Sequence, residues 1–235
     1  VATPTFFHTE LMADDQQVCL SRNESLHALK SRRLKVGHSV RLINGQGLLA
    51  NGHIISAARA ELEVAIDQVS QQESQRAPLT IAVAIPKGDR QKTMIDMATQ
   101  LGVHRIVPIE YDYSVTKFTS STTEKWQRTA LEACKQSQNP WLPKVDSSQR
   151  LQEFVGSLQQ PAMYCDASGT SMLDCAPPKT AATLFIGPEG GFSAAEIQLF
   201  EAKCVTPLWL GQYILRTETA VVSALAQWAK YIHNG

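Results

Sequence analysis

Hydrophobic and polar positions divide the chain into two differently patterned parts. Before about residue 73 the apolar residues come in short, alternating runs. Val40-Arg41-Leu42-Ile43 runs into Asn44-Gly45, a strong hairpin-turn signal. Gly52-His53-Ile54-Ile55 follows, and Glu61 to Ile66 alternates as a half-buried strand should. This pattern predicts a small β-barrel. Gln68 to Arg76 is polar and without period, and is the expected linker.

After Pro78 strands alternate with helices. Leu79 to Ile85 is a continuous apolar strand. Met94, Met97, Ala98 and Leu101 fall on one helical face, which Gly102 ends. Arg105 to Ile109 predicts the next strand. Ser121-Thr122-Thr123-Glu124 has the form of a capping box opening a helix. A short helix near Leu151 to Leu158 precedes the strand Ala162 to Asp166. Thr183 to Ile186 is a strand. Ser193 to Glu196 forms a second capping box, opening a helix to about Lys203. Pro207 to Leu210 is the last strand, and about Thr217 to His233 the last helix. The alternation predicts an α/β fold with a mainly parallel sheet covered on both faces. The expected domains are residues 1–73 and 77–235.

Composition narrows the class. The chain has 235 residues, 43% of them hydrophobic, which is enough for a sizeable core. Lys plus Arg and Asp plus Glu both number 22, so charge alone does not make it a nucleic-acid coat. Five cysteines without a C-x-x-C pair, and six histidines without ligand spacing, argue against a disulfide framework or a metal site. The N-terminus shows no basic-then-apolar leader pattern, and the apolar run Ala220 to Ala229 is too short for a bilayer. The expectation is a cytoplasmic protein with no metal and no membrane partner.

Three segments carry candidate chemistry. Gly187-Pro188-Glu189-Gly190-Gly191 links a strand to a helix with three glycines and a proline, more than a tight turn needs. Close backbone approach to a ligand explains the excess, although Glu189 also suits a helix N-terminus. Arg216-Thr217-Glu218-Thr219 opens the last helix. Thr217 or Thr219 as N-cap and Glu218 as first-turn acid are ordinary there. Arg216 is not, since a cation at a helix N-terminus needs an anion or a polar substrate beside it. Residues 22–41 hold Arg22, Lys30, Arg32, Arg33, Lys35 and Arg41, with Glu24 the one acid. A solvated face and a phosphate-gripping patch account for them about equally well. Gly45-Gln46-Gly47-Leu48-Leu49-Ala50 matches a dinucleotide fingerprint, but a strand pattern follows it where the motif needs a helix, so it reads as a hairpin turn.

The segments IGPEGGFSAAEI and LGQYILRTETA closely resemble the bacterial 16S ribosomal RNA uridine-N3 methyltransferases, the RsmE family of the SPOUT superfamily. Pro86-Lys87-Gly88 to Lys92 and Ala98 to Val103 resemble the first strand-helix unit of that family. His27, Arg33, Gly37 and Asn44-Gly45 resemble its N-terminal PUA-like barrel. The resemblance implies a trefoil-knotted, mainly parallel SPOUT domain after the barrel. It also implies S-adenosyl-L-methionine as cofactor, held by Ile186, Gly187, Pro188, Glu189, Gly190 and Gly191 on one side. Leu210, Gly211, Ile214, Leu215, Thr217, Thr219 and Ala220 hold it on the other.

Its implied reaction is methyl transfer to uridine N3 of 16S ribosomal RNA in the small ribosomal subunit. Arg216 is the expected stabiliser of charge on the uracil, and Glu218 or Glu189 the expected base. Arg22, Lys30, Arg32, Arg33, Lys35 and Lys87 are the expected RNA contacts, and a homodimer the expected assembly. The chain departs from the family pattern at Gln100, usually an acid, and at Gln138-Asn139, often Gly-Arg. Another SPOUT RNA methyltransferase with a different target, or a non-enzymatic RNA-binding protein, remains the alternative.

Overall fold

The computed structural model describes residues 3–58, 61–73, 77–116, 119–175 and 180–233. It divides into two compact units, one made of Val1–Ser74 with Leu131–Leu142, the other of Gln75–Ala130 with Pro143–Gly235.

The first unit begins with strands β1 (Thr5–Phe7) and β2 (Gln17–Cys19). Helix α1 (Arg22–Leu26) runs straight into a π-helical turn, His27–Ser31. Strands β3 (Ser39–Ile43), β4 (Leu48–Ala58) and β5 (Glu61–Gln71) follow. They form one sheet in the order β1-β3-β4-β5-β2, antiparallel except where β1 meets β3. Alternation along β5 places Leu62 and Val64 in a core with Phe6, Leu42 and Ile54.

The Asn44-Gly45 signal does mark the β3–β4 hairpin. The Asn44 side-chain oxygen accepts from the backbone N–H of Gln46 at 2.8 Å and of Leu48 at 3.1 Å. Gly47 adopts φ +94°, and a Cβ there would stand 2.4 Å from the Trp141 ring, so only glycine fits. The polar stretch expected as a linker begins too early. β5 continues through Gln71, because Val69, Ser70 and Gln71 still pair with Ala50, Leu49 and Leu48, and Val69 packs on the core. One-sided burial hides a strand from a polarity count. The last part of that stretch, 74–76, lies outside the described residues.

The second unit holds β6 (Leu79–Val83), α2 (Arg90–Gln100) and β7 (Arg105–Glu110). Next comes α3 (Ser120–Ser137), whose residues from Leu131 on group with the first unit. Then follow β8 (Lys144–Val145), β9 (Gln149–Arg150), α4 (Leu151–Gly156) and β10 (Ala162–Ser171). The chain closes with β11 (Ala182–Ile186), α5 (Ala194–Ala202), β12 (Thr206–Trp209) and α6 (Thr217–His233). The strand order is β12-β10-β11-β6-β7-β8, with β9 also on β7, and every pairing is parallel. Ala82, Val107, Phe185 and Tyr164 face one core with Phe154 of α4 and Phe200 of α5. Helices α2 and α6 pack on each other, and the Trp228 indole of α6 donates to the Ala77 carbonyl. A parallel sheet with helical layers is the architecture the alternation predicts.

Two local expectations shift. Met97 is 43% exposed, and Ile95 and Thr99 are buried with Met94 and Ala98 in its place. The capping box at Ser121 and Glu124 does not form. α3 starts at Ser120, the Thr119 carbonyl accepts from Thr122 N–H at 2.9 Å, and the Thr119 hydroxyl bonds the hydroxyls of Ser121 and Thr122. A run of hydroxyl residues offers several caps, and spacing alone cannot choose among them. The second box is real: Ser193 Oγ accepts from Glu196 N–H, and the Glu196 carboxylate accepts from Ser193 N–H. No helix among the described residues is long and apolar enough to cross a membrane.

Candidate active site

The chain leaves β11, makes α5, and returns as β12 on the far side of β10. The loops after β11 and β12 therefore diverge on either side of β10. A crevice opens at such a switch point, beyond the carboxyl ends of the strands. It is a cavity of about 230 Å³ lined by the middle of β10, the ends of β11 and β12, the two loops and the start of α6.

The residues expected at the cofactor all line this one cavity, except Gly190 and Thr219. Gly190 backs onto Tyr113, 3.3 Å from where its Cβ would stand. Thr219 is exposed on the outer side of α6. Gly187 sits under the Phe192 ring, where a Cβ would meet ring carbons at 3.0 Å. Gly191 N–H bonds the Pro188 carbonyl at 2.9 Å with φ +75°. The glycines thus serve two needs, close packing and a left-handed turn. Thr217 Oγ1 donates to the Gly187 carbonyl at 3.2 Å, and Gln227 Nε2 to the Leu210 carbonyl at 3.1 Å, so α6 holds both loops.

The third wall is not among the expected residues. Cys165, Asp166 and Ala167 come from β10, where the register with β12 slips between Cys165 and Thr170. Such a bulge re-aims side chains at a sheet end. Asp166 Oδ1 accepts from the backbone N–H and hydroxyl of Ser168, at 2.8 and 2.6 Å. Burial first, then Asp166, pushes the Cys165 thiol up, so it stays a protonated lining group. The sequence pattern ends this strand at Asp166, whereas β10 runs on to Ser171, so these residues sit in its middle, at the bulge.

The acid candidates converge on a residue that sequence reasoning passed over. Arg90 Nη1 lies 2.5 Å from Glu189 Oε1 and 3.8 Å from Glu218 Oε2. Its hydrogen bond to Glu189 is the main reason that carboxyl is held below its ordinary range; burial opposes, and Lys87 adds to the lowering. Glu218 is 13% exposed, and its Oε2 is enclosed without a hydrogen bond. Arg90 opens α2, where the helix dipole disfavours a cation. The argument that singled out Arg216 applies equally to Arg90. Arg216 itself is exposed and outside the cavity lining, and its carbonyl accepts from Ala220 N–H at 2.8 Å.

The basic residues separate. Arg22, Lys30, Arg32, Arg33 and Lys35 are exposed on and after α1 in the first unit. Arg41 is tied down instead, to Asn51 Oδ1 at 3.1 Å and to Gln138 Oε1. Gln138 has φ +60°, a left-handed conformation that glycine adopts more readily. Gln100 bonds Asp96 along α2 at 3.0 Å. Lys87 is exposed in the second unit, on the Glu189 side of the cavity. No group of three or more His, Cys, Asp or Glu placed to hold a metal ion occurs among the described residues.

An apolar slot bounded by backbone loops, with carboxylates at its rim, suits a nucleoside carrying positive charge. Comparison with known proteins agrees. The family model for an RNA methyltransferase domain matches residues 72–229, and that for an RNA methyltransferase PUA domain matches residues 20–67. Ribosomal RNA small subunit methyltransferase E of Rickettsia conorii is 28% identical over 223 residues, covering 92% of this chain and 91% of that one. Its counterpart in Synechocystis is 32% identical over 203 residues, 83% of this chain and 67% of that one. A methyltransferase of Legionella pneumophila, solved with bound cofactor SAM, superposes with a TM-score of 0.88 at 26% identity, over 98% of each chain. The SPOUT-type fold with a PUA-like unit before it is therefore shared. The chain belongs to the RsmE family of RNA methyltransferases.

Proposed function

We propose that the protein transfers a methyl group from S-adenosyl-L-methionine to uridine N3 of 16S ribosomal RNA in the small subunit. The convergence of both C-terminal loops and the β10 bulge on one cavity carries this reading. The residues present fit the cofactor. Leu208, Leu210, Ile214 and Leu215 offer apolar contact to an adenine, the loop backbone offers hydrogen bonds, and Asp166 and Glu189 offer negative charge to a cationic ligand. When bound, S-adenosylmethionine supplies a methyl on a sulfonium, already a good electrophile.

The protein's part is then positioning and charge. Thr217 fixes Gly187, so the two walls keep their spacing. As the imide proton leaves N3, negative charge spreads to O2 and O4, and Arg216 stabilises it from the solvent side. A carboxylate, Glu218 or Glu189, accepts the proton. The exposed cations at Arg22, Lys30, Arg32, Arg33 and Lys35 grip RNA phosphates from the first unit, and Lys87 does so beside the site.

Ile214 and Tyr213 are 96% and 77% exposed on the cofactor loop. Large apolar side chains so placed favour a homodimer in which a second copy covers this loop. The protein works in the cytoplasm, where ribosomal subunits are assembled. The test is transfer of labelled methyl from S-adenosylmethionine to small subunits of cells lacking the enzyme. Label in the RNA is expected; cofactor binding without any labelled RNA overturns the reading.

A further inference from the structure

Among the described residues two Phe, Tyr or Trp side chains are exposed, and they belong to different loops. Tyr213 sits on the cofactor loop after β12. Tyr113 lies in the turn after β7 and is 52% exposed. Strands β12 and β7 are four positions apart in the sheet, about 19 Å at the usual strand spacing. A second copy seated on Tyr213 does not by itself account for Tyr113.

The turn that carries Tyr113 is firmly anchored. Tyr111 N–H donates to Ser114 Oγ at 3.0 Å, and Ser114 N–H to the Tyr111 carbonyl at 2.9 Å. Asp112 N–H donates to Oε1 of the buried Glu196 at 2.9 Å, and Ser193 Oγ donates to Asp112 Oδ2 at 2.5 Å. The Tyr111 hydroxyl donates to the Ala82 carbonyl at 2.8 Å, and its ring stands edge-on to Phe192. The capping box of α5 thus ties the glycine turn to the Tyr113 turn. Tyr113 itself comes against Gly190, where a Cβ would stand 3.3 Å from Tyr113 Cβ and 3.5 Å from Cδ2. Gly190 is the one residue from Gly187 to Phe192 outside the cavity lining. The backbone of the turn therefore stands between the tyrosine and the cofactor cavity.

Three loops meet at this edge of the sheet. β11, β6 and β7 are parallel neighbours, so the loops after them leave from the same edge. The first is the glycine turn, the second carries exposed Lys87, and the third carries Tyr113. Lys87 is close enough to Glu189 to help lower its carboxyl. An aromatic face and a cation on neighbouring loops form the combination that binds single-stranded nucleic acid, base on ring and phosphate on cation.

We propose that Tyr113 is the platform on which an unpaired base next to the target uridine stacks, with Lys87 on the adjoining phosphate. This rests on the RNA methyltransferase reading and adds to it a residue that selects the substrate. Every base has a π-face, so such a platform reads an unstacked strand rather than a sequence.

The test is methylation of small ribosomal subunits from cells lacking the enzyme, by variants at Tyr113. Tyr113→Ala keeps the Cβ that faces Gly190. It should raise KM for subunits about tenfold, with a smaller change in kcat. Tyr113→Phe and Tyr113→Trp should stay near the parent, whereas Tyr113→Leu, apolar but without a π-face, should resemble Tyr113→Ala. Stacking releases no counter-ions, so the slope of log KM against log salt should be the same in Tyr113→Ala as in the parent. Lys87→Met should make that slope shallower by about one.

A Leu variant as good as Phe would leave only an apolar contact, and a Phe variant as poor as Ala only a hydroxyl contact. Either overturns the stack. So does a fall in S-adenosylmethionine affinity that accounts for the loss in Tyr113→Ala, which would make the ring a brace for the glycine turn. A lighter species in sedimentation of that variant would make it a contact between copies and overturns the stack too. If the parent methylates no RNA, the functional reading itself fails. If the parent is active and Tyr113→Ala equals it, only the stack fails.

Discussion

Thr217 Oγ1 donates a hydrogen bond to the carbonyl of Gly187 at 3.2 Å. The bond joins the first residue of the last helix to the first residue of the glycine turn, thirty positions earlier in the chain. It is the direct tie between the two loops that wall the cavity. Thr217 is buried, so the bond is shielded from water. Replacing it by Val keeps the shape and removes the donor. The Thr217→Val variant should lose about 1 kcal/mol of stability. Its S-adenosylmethionine affinity should fall by about fivefold. Calorimetric titration and a thermal melt check both numbers; unchanged affinity would show that the loops hold their spacing without the bond.

Gly169 lies in the β10 bulge, where a Cβ would stand 2.4 Å from the backbone nitrogen of Leu208. Backbone cannot yield as a side chain tip can. Gly169→Ala should push β12 from β10, costing about 2 kcal/mol. Since Leu208 to Leu210 line the cavity, cofactor affinity should drop with it. A melt that falls while affinity stays constant would separate the strand from the site.

Much of the site was legible because it is local. The glycine turn, the Ser193–Glu196 box and the Arg216–Thr219 helix start are each written in consecutive residues. Arg90, Asp166 and Tyr113 were missed for the opposite reason. Each reaches the site from another part of the fold, so no spacing along the chain relates it to Glu189, Leu208 or Gly190. The overlong linker assignment had a different cause. Ser70 and Gln71 are polar yet paired in β5, and strand pairing asks only for backbone. The basic stretch was legible as a cluster, but not that Arg41 leaves it to bond Asn51 and Gln138.

Lys135 is nearly enclosed between Glu24 at 2.8 Å and Glu132 at 2.7 Å. Burial alone would lower it, but hydrogen bonds to Glu132 and Glu24 outweigh that and hold the ammonium above its ordinary value. A raised value in the folded state gives stability that is complete below about pH 10.4, the unfolded lysine value. That stability is lost as pH rises through the folded value. Lys135→Met leaves the Glu24 carboxylate enclosed without a cation and should cost about 3 kcal/mol at neutral pH. Melting curves of both proteins from neutral to strongly alkaline pH should converge; parallel curves would mean that the lysine acts by packing alone.

Arg216 is exposed at the start of α6 and lies outside the cavity lining. If it stabilises charge on the uracil, Arg216→Ala should cut turnover by about a hundredfold. Its dissociation constant for S-adenosylmethionine should match the parent. Equal loss of binding and turnover would make the residue structural.

Nucleoside mass spectrometry tests the central claim most directly. Purified protein and S-adenosylmethionine are incubated with small ribosomal subunits from cells lacking the enzyme, and separately with naked 16S RNA, and the digests are searched for methylated nucleosides. The account predicts 3-methyluridine, absent when the cofactor is omitted. A methyl group on ribose or on another base, or none despite tight cofactor binding, would contradict it.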